Sequence, residues 1–295
     1  MLTPDAETRP GSAASRKSQM EHTLQTLPER FPQLKLPIRA GMRGTPEYKA
    51  AVLRGEEVRE EIPFPFGPGD SLTTAETPAG PAEILFLRER ESFLRAYRAL
   101  GYRCEPVEIE DSVGAAALRG LIDWGKIRGH KAEYLAAGGQ DWDEEFARFA
   151  ADKNNYLSAL ILLSGGEYSH VPAEDVGLDR ETWLDRSKTI RKYHELTHFV
   201  CRTLYPEKID VILDEVLADL IGLVAAFGSY DTTLARRFLG LENGAFREGG
   251  RLSHYAGAEE LPAAAARADA LIDRYAGELE NHKTQDVFAL LLELF

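Results

Sequence analysis

The chain has 295 residues, which allows one large domain or two small ones. Its 44% hydrophobic and 28% charged residues are typical of a globular protein and exclude a collagen-like, coiled-coil or wholly disordered chain. The formal net charge of −13 is a poor match to phosphate backbones, so no nucleic-acid partner is expected. The two cysteines, Cys104 and Cys201, form no CxxC pair, which excludes a cysteine-built zinc ribbon and fits a reducing compartment.

Two further features concern the cellular location. Residues 1–20 carry Pro, Asp and Glu where a signal peptide needs a continuous apolar stretch. The longest apolar run, residues 220–227, is far shorter than the roughly 20 residues that span a bilayer. The sequence therefore predicts a cytoplasmic protein with no membrane partner.

In chain order, residues 1–80 predict a flexible N-terminal arm and connector that are rich in Pro and Gly. Residues 1–20 are small, polar and aperiodic, and residues 62–81 are dense in Pro and Gly. Between these segments, residues 34–37 predict an extended stretch that ends at a proline, and residues 47–61 predict one charged helix.

Residues 81–295 predict a second, mainly helical domain. Its first helix begins near Ala82, follows apolar residues at helical spacing and ends at Gly101. Residues 103–108 predict a short strand, and nearly everything from residue 113 onward predicts helix. The fold class is therefore mainly α, with at most a small β-sheet contributed from upstream.

One later segment is ambiguous. Residues 156–163 form a short apolar run bounded by glycines, which fits either a helix or a buried strand. The other predicted helices cover residues 142–152, 180–205, 209–227, 231–241, 260–279 and 284–294.

The strongest motif lies in the predicted helix 180–205. His194-Glu195-Leu196-Thr197-His198 is an HExxH sequence, and residues four apart on a helix share a face, so both imidazoles can reach one metal ion. Glu195 lies one position round, where a carboxylate can take a proton from a water molecule without binding the metal itself.

A catalytic zinc commonly takes three protein ligands, and the next predicted helix, 209–227, offers the third. That helix is apolar on almost every side, so Glu215 and Asp219 should be buried, and a buried carboxylate is costly unless it is paired or bound to a metal. We predict Glu215 as the third ligand and Asp219 as the acceptor that orients a ligand histidine, with Asp214 as a competing ligand and Cys201 as a weaker one. Alternatively, these acids face solvent or pair with basic residues.

Together the two helices resemble the active site of the gluzincin group of zinc metallopeptidases, to which thermolysin belongs. In that group an HExxH helix is followed by a helix with an ExxxD arrangement, here Glu215 to Asp219. The resemblance implies a helical metallopeptidase-like domain with an active-site helix hairpin. It also implies His194, His198 and Glu215 as zinc ligands, with Glu195 as the general base.

The resemblance covers about thirty residues and departs from thermolysin at two of them. Asp214 and Ala218 stand where thermolysin has Asn and Ser. A third histidine of the metzincin type is absent, because Cys201 and Leu204 hold the corresponding positions.

A peptidase also needs a donor for the developing oxyanion, which is typically a downstream Tyr or His in gluzincins. His254 and Tyr255, in a loop bracketed by glycines, are the candidate pair, and Tyr230, His170 or His282 are substitutes. An edge strand that holds the peptide extended is expected in this group. Residues 156–163 or 103–108 are its candidates.

The sequence thus predicts zinc-dependent hydrolysis of peptide bonds in a peptide or protein substrate. Two nitrogens and one carboxylate favour zinc, although cobalt or manganese fits the same ligands. The main alternative is a catalytically silent metal-binding protein with a regulatory or interaction role, whose site is buried or blocked. The N-terminal arm is then either the segment that blocks the site or simply disordered. A third hypothesis is an interaction protein that binds no metal.

Overall fold

The computed structural model describes residues 24–248, 250–279 and 286–294. Within these residues the structure is mainly α-helical, as the sequence predicts. The strands are β1 Ser71–Ala75, β2 Ala82–Leu87, β3 Ala115–Ile122, β4 Leu157–Ser164, β5 Leu241–Glu242 and β6 Ala245–Phe246. The ten α-helices are α1 Leu27–Arg30, α2 Pro46–Tyr48, α3 Arg90–Leu100, α4 Trp124–Ala136, α5 Trp142–Ala150, α6 Arg180–Leu204, α7 Val211–Phe227, α8 Thr232–Leu239, α9 Leu261–Leu279 and α10 Val287–Glu293.

A four-stranded sheet divides the molecule into layers. Its strand order is β1-β2-β4-β3, and β2 and β4 are parallel while the two outer pairs are antiparallel. Successive side chains of a strand point to opposite faces. Leu160 and Leu162 of β4 accordingly join the apolar cluster under the N-terminal segment, whereas Ile161 and Leu163 join the cluster that contains Leu196 of α6. The sheet therefore supports the HExxH helix directly.

The N-terminal segment differs from the predicted flexible arm. From residue 24 onward it is folded, and the side chains of Leu27, Phe31, Leu36 and Met42 are fully buried in the cluster beneath the sheet. Residues 32–35 form a 3-10 turn instead of an extended stretch, and residues 49–53 form a π-helical turn instead of one long helix. Residues 71–75 of the predicted connector form β1. Residues 1–23 of the predicted arm lie outside the described residues.

The predictions for four segments in and around the sheet were wrong or left open. Residues 82–87 form β2 instead of the start of a helix, because every residue but Glu83 is apolar and buried and the strand therefore shows little alternation. Residues 103–108 form no strand, since the backbone takes left-handed φ values of 56° at Arg103 and 64° at Cys104. The predicted helix from residue 113 onward is interrupted by β3, and the ambiguous run 156–163 is strand β4.

The C-terminal half is the predicted set of helices. Helix α6 begins after Asp179 and α7 begins after Asp210, and each aspartate accepts hydrogen bonds from backbone N–H groups of the first helical turn. These two helices pack against each other at Gly222, where a Cβ would lie 2.9 Å from the carbonyl oxygen of Ile190. Close approach of the two backbones therefore requires glycine at this position.

The remaining helices complete the core around α7. Helix α8 ends at Leu239, two residues earlier than predicted, because Gly240 takes a left-handed φ of 77° and the β5–β6 hairpin follows. Helices α9 and α10 pack on α7, and residues 280–285 lie outside the described part. None of the helices in the described residues combines the length and apolar character that crossing a bilayer requires.

Candidate metal centre

Three buried side chains from α6 and α7 converge on one point. The Nε2 atoms of His194 and His198 are 3.0 Å apart. The carboxylate oxygens of Glu215 lie 3.5 Å from His194 Nε2 and 3.3 Å from His198 Nε2. A tetrahedral ion with ligands at about 2.0–2.2 Å separates its ligand atoms by roughly 3.3–3.6 Å. The three predicted ligands thus form a group of the size that a metal ion requires.

The opposite nitrogen of each ligand histidine faces a carboxylate. His194 Nδ1 is 3.0 Å from Asp219 Oδ1, as predicted for the residue that orients this ring. His198 Nδ1 is 2.9 Å from Asp214 Oδ2, an ion pair that lies outside the angular range of a good hydrogen bond. Carboxylates at Nδ1 favour a proton there and a lone pair at Nε2. The two Nε2 lone pairs then face each other, an arrangement that a cation between them stabilises.

Asp214 is therefore placed as a support for His198 and does not belong to the ligand group. Its other contact is with Arg202, whose Nε donates to Asp214 Oδ2 over 2.8 Å. The other competing ligand, Cys201, is buried in the apolar cluster around α7 and likewise does not join the group.

The electrostatics of the group favour a bound cation. Burial opposes a positive charge on His198, but the Asp214 and Glu215 carboxylates outweigh it and raise the pKa of this imidazole to about 10. Burial likewise opposes charge on Glu215, yet His198, His194 and Arg251 hold the pKa of that carboxyl at about 2. The Asp214 and Glu215 carboxylates therefore stabilise a positive charge at His198. The same carboxylates would stabilise a metal ion bound there in place of a proton.

Tyr168 and Arg251 also hold Asp219 and His194 in place. Neither residue was identified from the sequence. The Tyr168 hydroxyl donates to Asp219 Oδ1 over 2.6 Å and lies 2.9 Å from His194 Nδ1. Arg251 Nη1 donates to the Tyr168 hydroxyl over 2.9 Å, and Arg251 Nη2 forms a short ion pair with Asp219. Burial is the main reason that the pKa of Tyr168 lies well above its usual value, so its hydroxyl remains a donor.

In the sequence, only neighbouring residues pointed to Tyr168 and Arg251. Tyr168 follows Gly165 and Gly166, and Arg251 begins the loop that carries the predicted oxyanion donors. The backbone at Ser169 and His170 takes left-handed φ values of 49° and 55°, which are uncommon for residues with side chains. Such conformations persist where the surrounding structure compensates for their cost, and they cluster at functional sites.

A cleft of about 220 Å³ opens beside the ligand group. Glu195 lines it, next to His194, and its side chain makes no ion pair with a described residue. Gly114 and Ala115, where β3 begins, also line the cleft. The predicted general base therefore faces the same space as the ligand group.

The edge strand at this cleft is β3, so both predicted candidates were wrong. Residues 103–108 form no strand, and β4 lies inside the sheet between β2 and β3. β3 pairs only with β4 among the described strands, which leaves its outer edge beside the cleft.

The loop with the predicted oxyanion donors also lines the cleft. His254 lines the cleft, and its Nε2 lies 3.1 Å from Glu110 Oε2. Burial raises the pKa of Tyr255 well above its usual value, with Arg251 opposing and Glu215 reinforcing the shift, so its hydroxyl stays protonated.

The substitute donors are placed less favourably. The hydroxyl of Tyr230 is buried, has no hydrogen-bond partner among the described residues and does not line the cleft. His170 lines a neighbouring cleft, and His282 lies outside the described residues.

A model of the family described as "Family of unknown function (DUF7005)" matches residues 8–290, so the chain belongs to this family. No curated protein and no solved structure is similar enough to count as a match.

Proposed function

We propose, for this member of a family without an assigned function, that the chain is a zinc-dependent hydrolase that cleaves peptide bonds. The observation that carries the proposal is the convergence of two Nε2 atoms and the Glu215 carboxylate beside a cleft that Glu195 also lines. Two imidazoles and one carboxylate are a common ligand set of catalytic zinc, and cobalt or manganese would fit the same set.

The residues around the cleft suit this chemistry. Zinc held by His194, His198 and Glu215 would supply Lewis-acid polarisation of a carbonyl group and activation of water. Glu195 would accept a proton from the attacking water and deliver it to the departing amine. Tyr255, a protonated hydroxyl at the cleft, would donate a hydrogen bond to the developing oxyanion.

Strand β3 supports a peptide as the substrate class. Its first residue, Ala115, lines the cleft, and β3 is an outer strand of the sheet, to whose edge an extended peptide could add through main-chain hydrogen bonds. In this arrangement the scissile bond would lie between β3 and the ligand group.

The first test is the metal content of the purified protein. We expect about one zinc per chain in the wild type, measured by elemental mass spectrometry, and a near-complete loss in His198→Ala prepared identically with added zinc. Equal zinc in both proteins, or little in either, would reject the metal site and with it the hydrolase.

The second test separates hydrolysis from silent metal binding. Glu195→Gln should retain zinc and lose cleavage of a diverse peptide library by a factor of roughly 10² to 10⁴, the usual contribution of a general base. If the wild type binds zinc but cleaves no peptide, the alternative of a catalytically silent metal-binding protein replaces the enzyme.

A further inference from the structure

A buried arginine lies one helical turn before the ligand group. Arg191 precedes His194 by three positions on α6, so both side chains belong to the same face of the helix. Only 5% of Arg191 is exposed. Burying a positive charge is costly unless it is paired, so the partners of this guanidinium decide whether it is structural.

All the hydrogen-bond acceptors of Arg191 in the described residues are backbone carbonyls. Its Nη1 donates to the carbonyl of Ser164 over 3.1 Å and to that of Gly166 over 3.3 Å, and its Nη2 donates to that of Glu167 over 3.1 Å. No carboxylate of the described residues forms an ion pair with it. Burial accordingly lowers the pKa of Arg191 to about 10, against the opposing influence of Tyr168 and Glu195. The charge is solvated by the loop but not neutralised.

The unneutralised charge faces open space. Arg191 lines both the cleft beside the ligand group and a second cleft of about 390 Å³, which we call the arginine cleft because Arg90 and Arg180 line it as well. No carboxylate of the described residues forms an ion pair with either arginine. Asp111 and Glu167 also line the arginine cleft and leave it with one more positive than negative charge.

Glycine at position 114 opens the way to the guanidinium. Gly114 lines both clefts, and a Cβ there would lie 2.7 Å from Arg191 Nε. Nε has no acceptor among the described residues. A side chain at position 114 would therefore fill the space through which a ligand atom reaches Arg191.

We propose that Arg191 binds a carboxylate of the substrate, so that the arginine cleft selects acidic peptides for the ligand group beside it. The carboxylate comes either from an Asp or Glu side chain or from a free peptide C-terminus, and both would accept hydrogen bonds from the guanidinium. This inference deepens the proposed hydrolase and relies on it for the identity of the substrate as a peptide.

Binding is measured on the zinc-loaded Glu195→Gln protein, which cannot consume the ligand. Calorimetric titrations compare amidated hexapeptides that carry Glu or Gln at each position in turn, and Gln peptides with a free or an amidated C-terminus. N-acetylglutamate, compared with N-acetylglutamine amide, probes the subsite without a peptide. We expect the acidic member of at least one pair to bind roughly 10- to 100-fold more tightly, the usual size of a charge-assisted hydrogen bond.

Arg191→Gln should abolish this preference. The matched control is Arg186→Gln, because Arg186 is also on α6 and also donates to a backbone carbonyl, that of Ala226, but lines neither cleft. The control should keep the preference. If circular dichroism or zinc content shows that Arg191→Gln is misfolded, Gly114→Ala decides, since it leaves the charge in place and blocks the approach to Nε.

Two sets of outcomes overturn the inference. Equal binding of the acidic and neutral members of every pair does so, and so does a preference that survives both Arg191→Gln and Gly114→Ala. Peptide hydrolysis by the wild type is scored separately. Hydrolysis without an acidic preference rejects the subsite alone, whereas N-acetylglutamate binding that depends on Arg191 without any hydrolysis rejects only the peptidase.

Discussion

The molecule contains two ionic clusters, one partly buried and one buried, that differ in how completely they pair. In the first, Arg30 binds Glu83 and Asp123 over 2.6 Å each, and Ser158 donates to Asp123 over 2.9 Å. Asp123 also accepts the backbone N–H groups that open α4. The cluster joins the N-terminal segment to the sheet, and each of its three charges has a partner of opposite sign. Such a cluster acts as a structural tie.

The second cluster is paired at its periphery and open at its centre. Asp219 is paired with both Tyr168 and Arg251, whereas Glu215 Oε2 has no hydrogen-bond partner among the described residues and two imidazole nitrogens face each other. A buried polar group without a partner is costly, so its persistence points to a ligand. The first cluster is therefore a structural tie, and the second is a candidate binding site.

The strongest test of this difference removes one carboxylate from each cluster. Asp219→Ala removes the close ion pair of the buried Arg251 and should cost about 3–5 kcal/mol of unfolding free energy, the usual effect of breaking a buried ion pair. Asp123→Ala should cost less, because Arg30 keeps its ion pair with Glu83 and 22% of its side chain is exposed. Urea denaturation in the presence of EDTA measures the unfolding free energy of both variants.

Zinc affinity separates the two variants. Asp219→Ala should weaken zinc binding by roughly 10- to 100-fold, the usual effect of losing the partner of a ligand histidine. Asp123→Ala should leave it unchanged. A similar loss of affinity in both would show that the second cluster depends on general stability instead of its own pairing.

Metal removal should act on the open cluster alone. Zinc at roughly 1,000 times its Kd stabilises the folded state by about 4 kcal/mol, so EDTA should lower the melting temperature of the wild type by several degrees. His198→Ala, which lacks a ligand, should melt at the same temperature with and without EDTA. A wild type that is insensitive to EDTA would favour the interaction protein that binds no metal.

A smaller effect is expected from the spacing of the two ligand helices. Gly222→Ala brings a Cβ to 2.9 Å from the Ile190 carbonyl oxygen, and such overpacking costs about 1–3 kcal/mol while moving α7 away from α6. Gly277→Ala in α9 meets nothing within 4 Å and should instead stabilise by up to about 1 kcal/mol. Thermal unfolding and zinc titration of both variants test this. Unchanged zinc affinity in Gly222→Ala would contradict it.

The smallest effect concerns acid stability and the closed cluster. Burial raises the pKa of Asp123, but the Arg30 hydrogen bond and charge outweigh it and lower this pKa below the ordinary 3.8. A depressed carboxyl pKa contributes stability above pH 3.8 that is lost as the pH falls through the folded value. Asp123→Asn should therefore flatten the pH dependence of unfolding below about pH 4. An unchanged slope would assign acid unfolding to other carboxylates.

The two clusters also differ in what the sequence reveals. The ligands were predictable because helical spacing places His194, His198 and Glu215 on two adjacent helices. The tie was not predictable, because Arg30 and Asp123 are 93 positions apart and no local pattern relates them. The contact between Tyr168 and Arg251 could not be predicted for the same reason, because the two residues are 83 positions apart.

The errors in the fold have a common physical origin. Strand β2 is apolar apart from Glu83 and β3 is rich in alanine, so neither shows the alternation that identifies a strand. The N-terminal segment buries Leu27, Phe31 and Leu36 without any regular period, because its turns are irregular. Tertiary packing determines the secondary structure of these regions, whereas local periodicity was enough to predict α6 and α7.

The short connection between α6 and α7 bears on the order of assembly. His194 and Glu215 are 21 positions apart, against 93 for Arg30 and Asp123, so bringing the ligands together costs about 1 kcal/mol less chain entropy than forming the tie. The complete ligand set has also been synthesised before Arg251 leaves the ribosome. The three residues of the candidate metal centre therefore belong to one helix hairpin, whereas the arginine that contacts Asp219 comes from a later part of the chain.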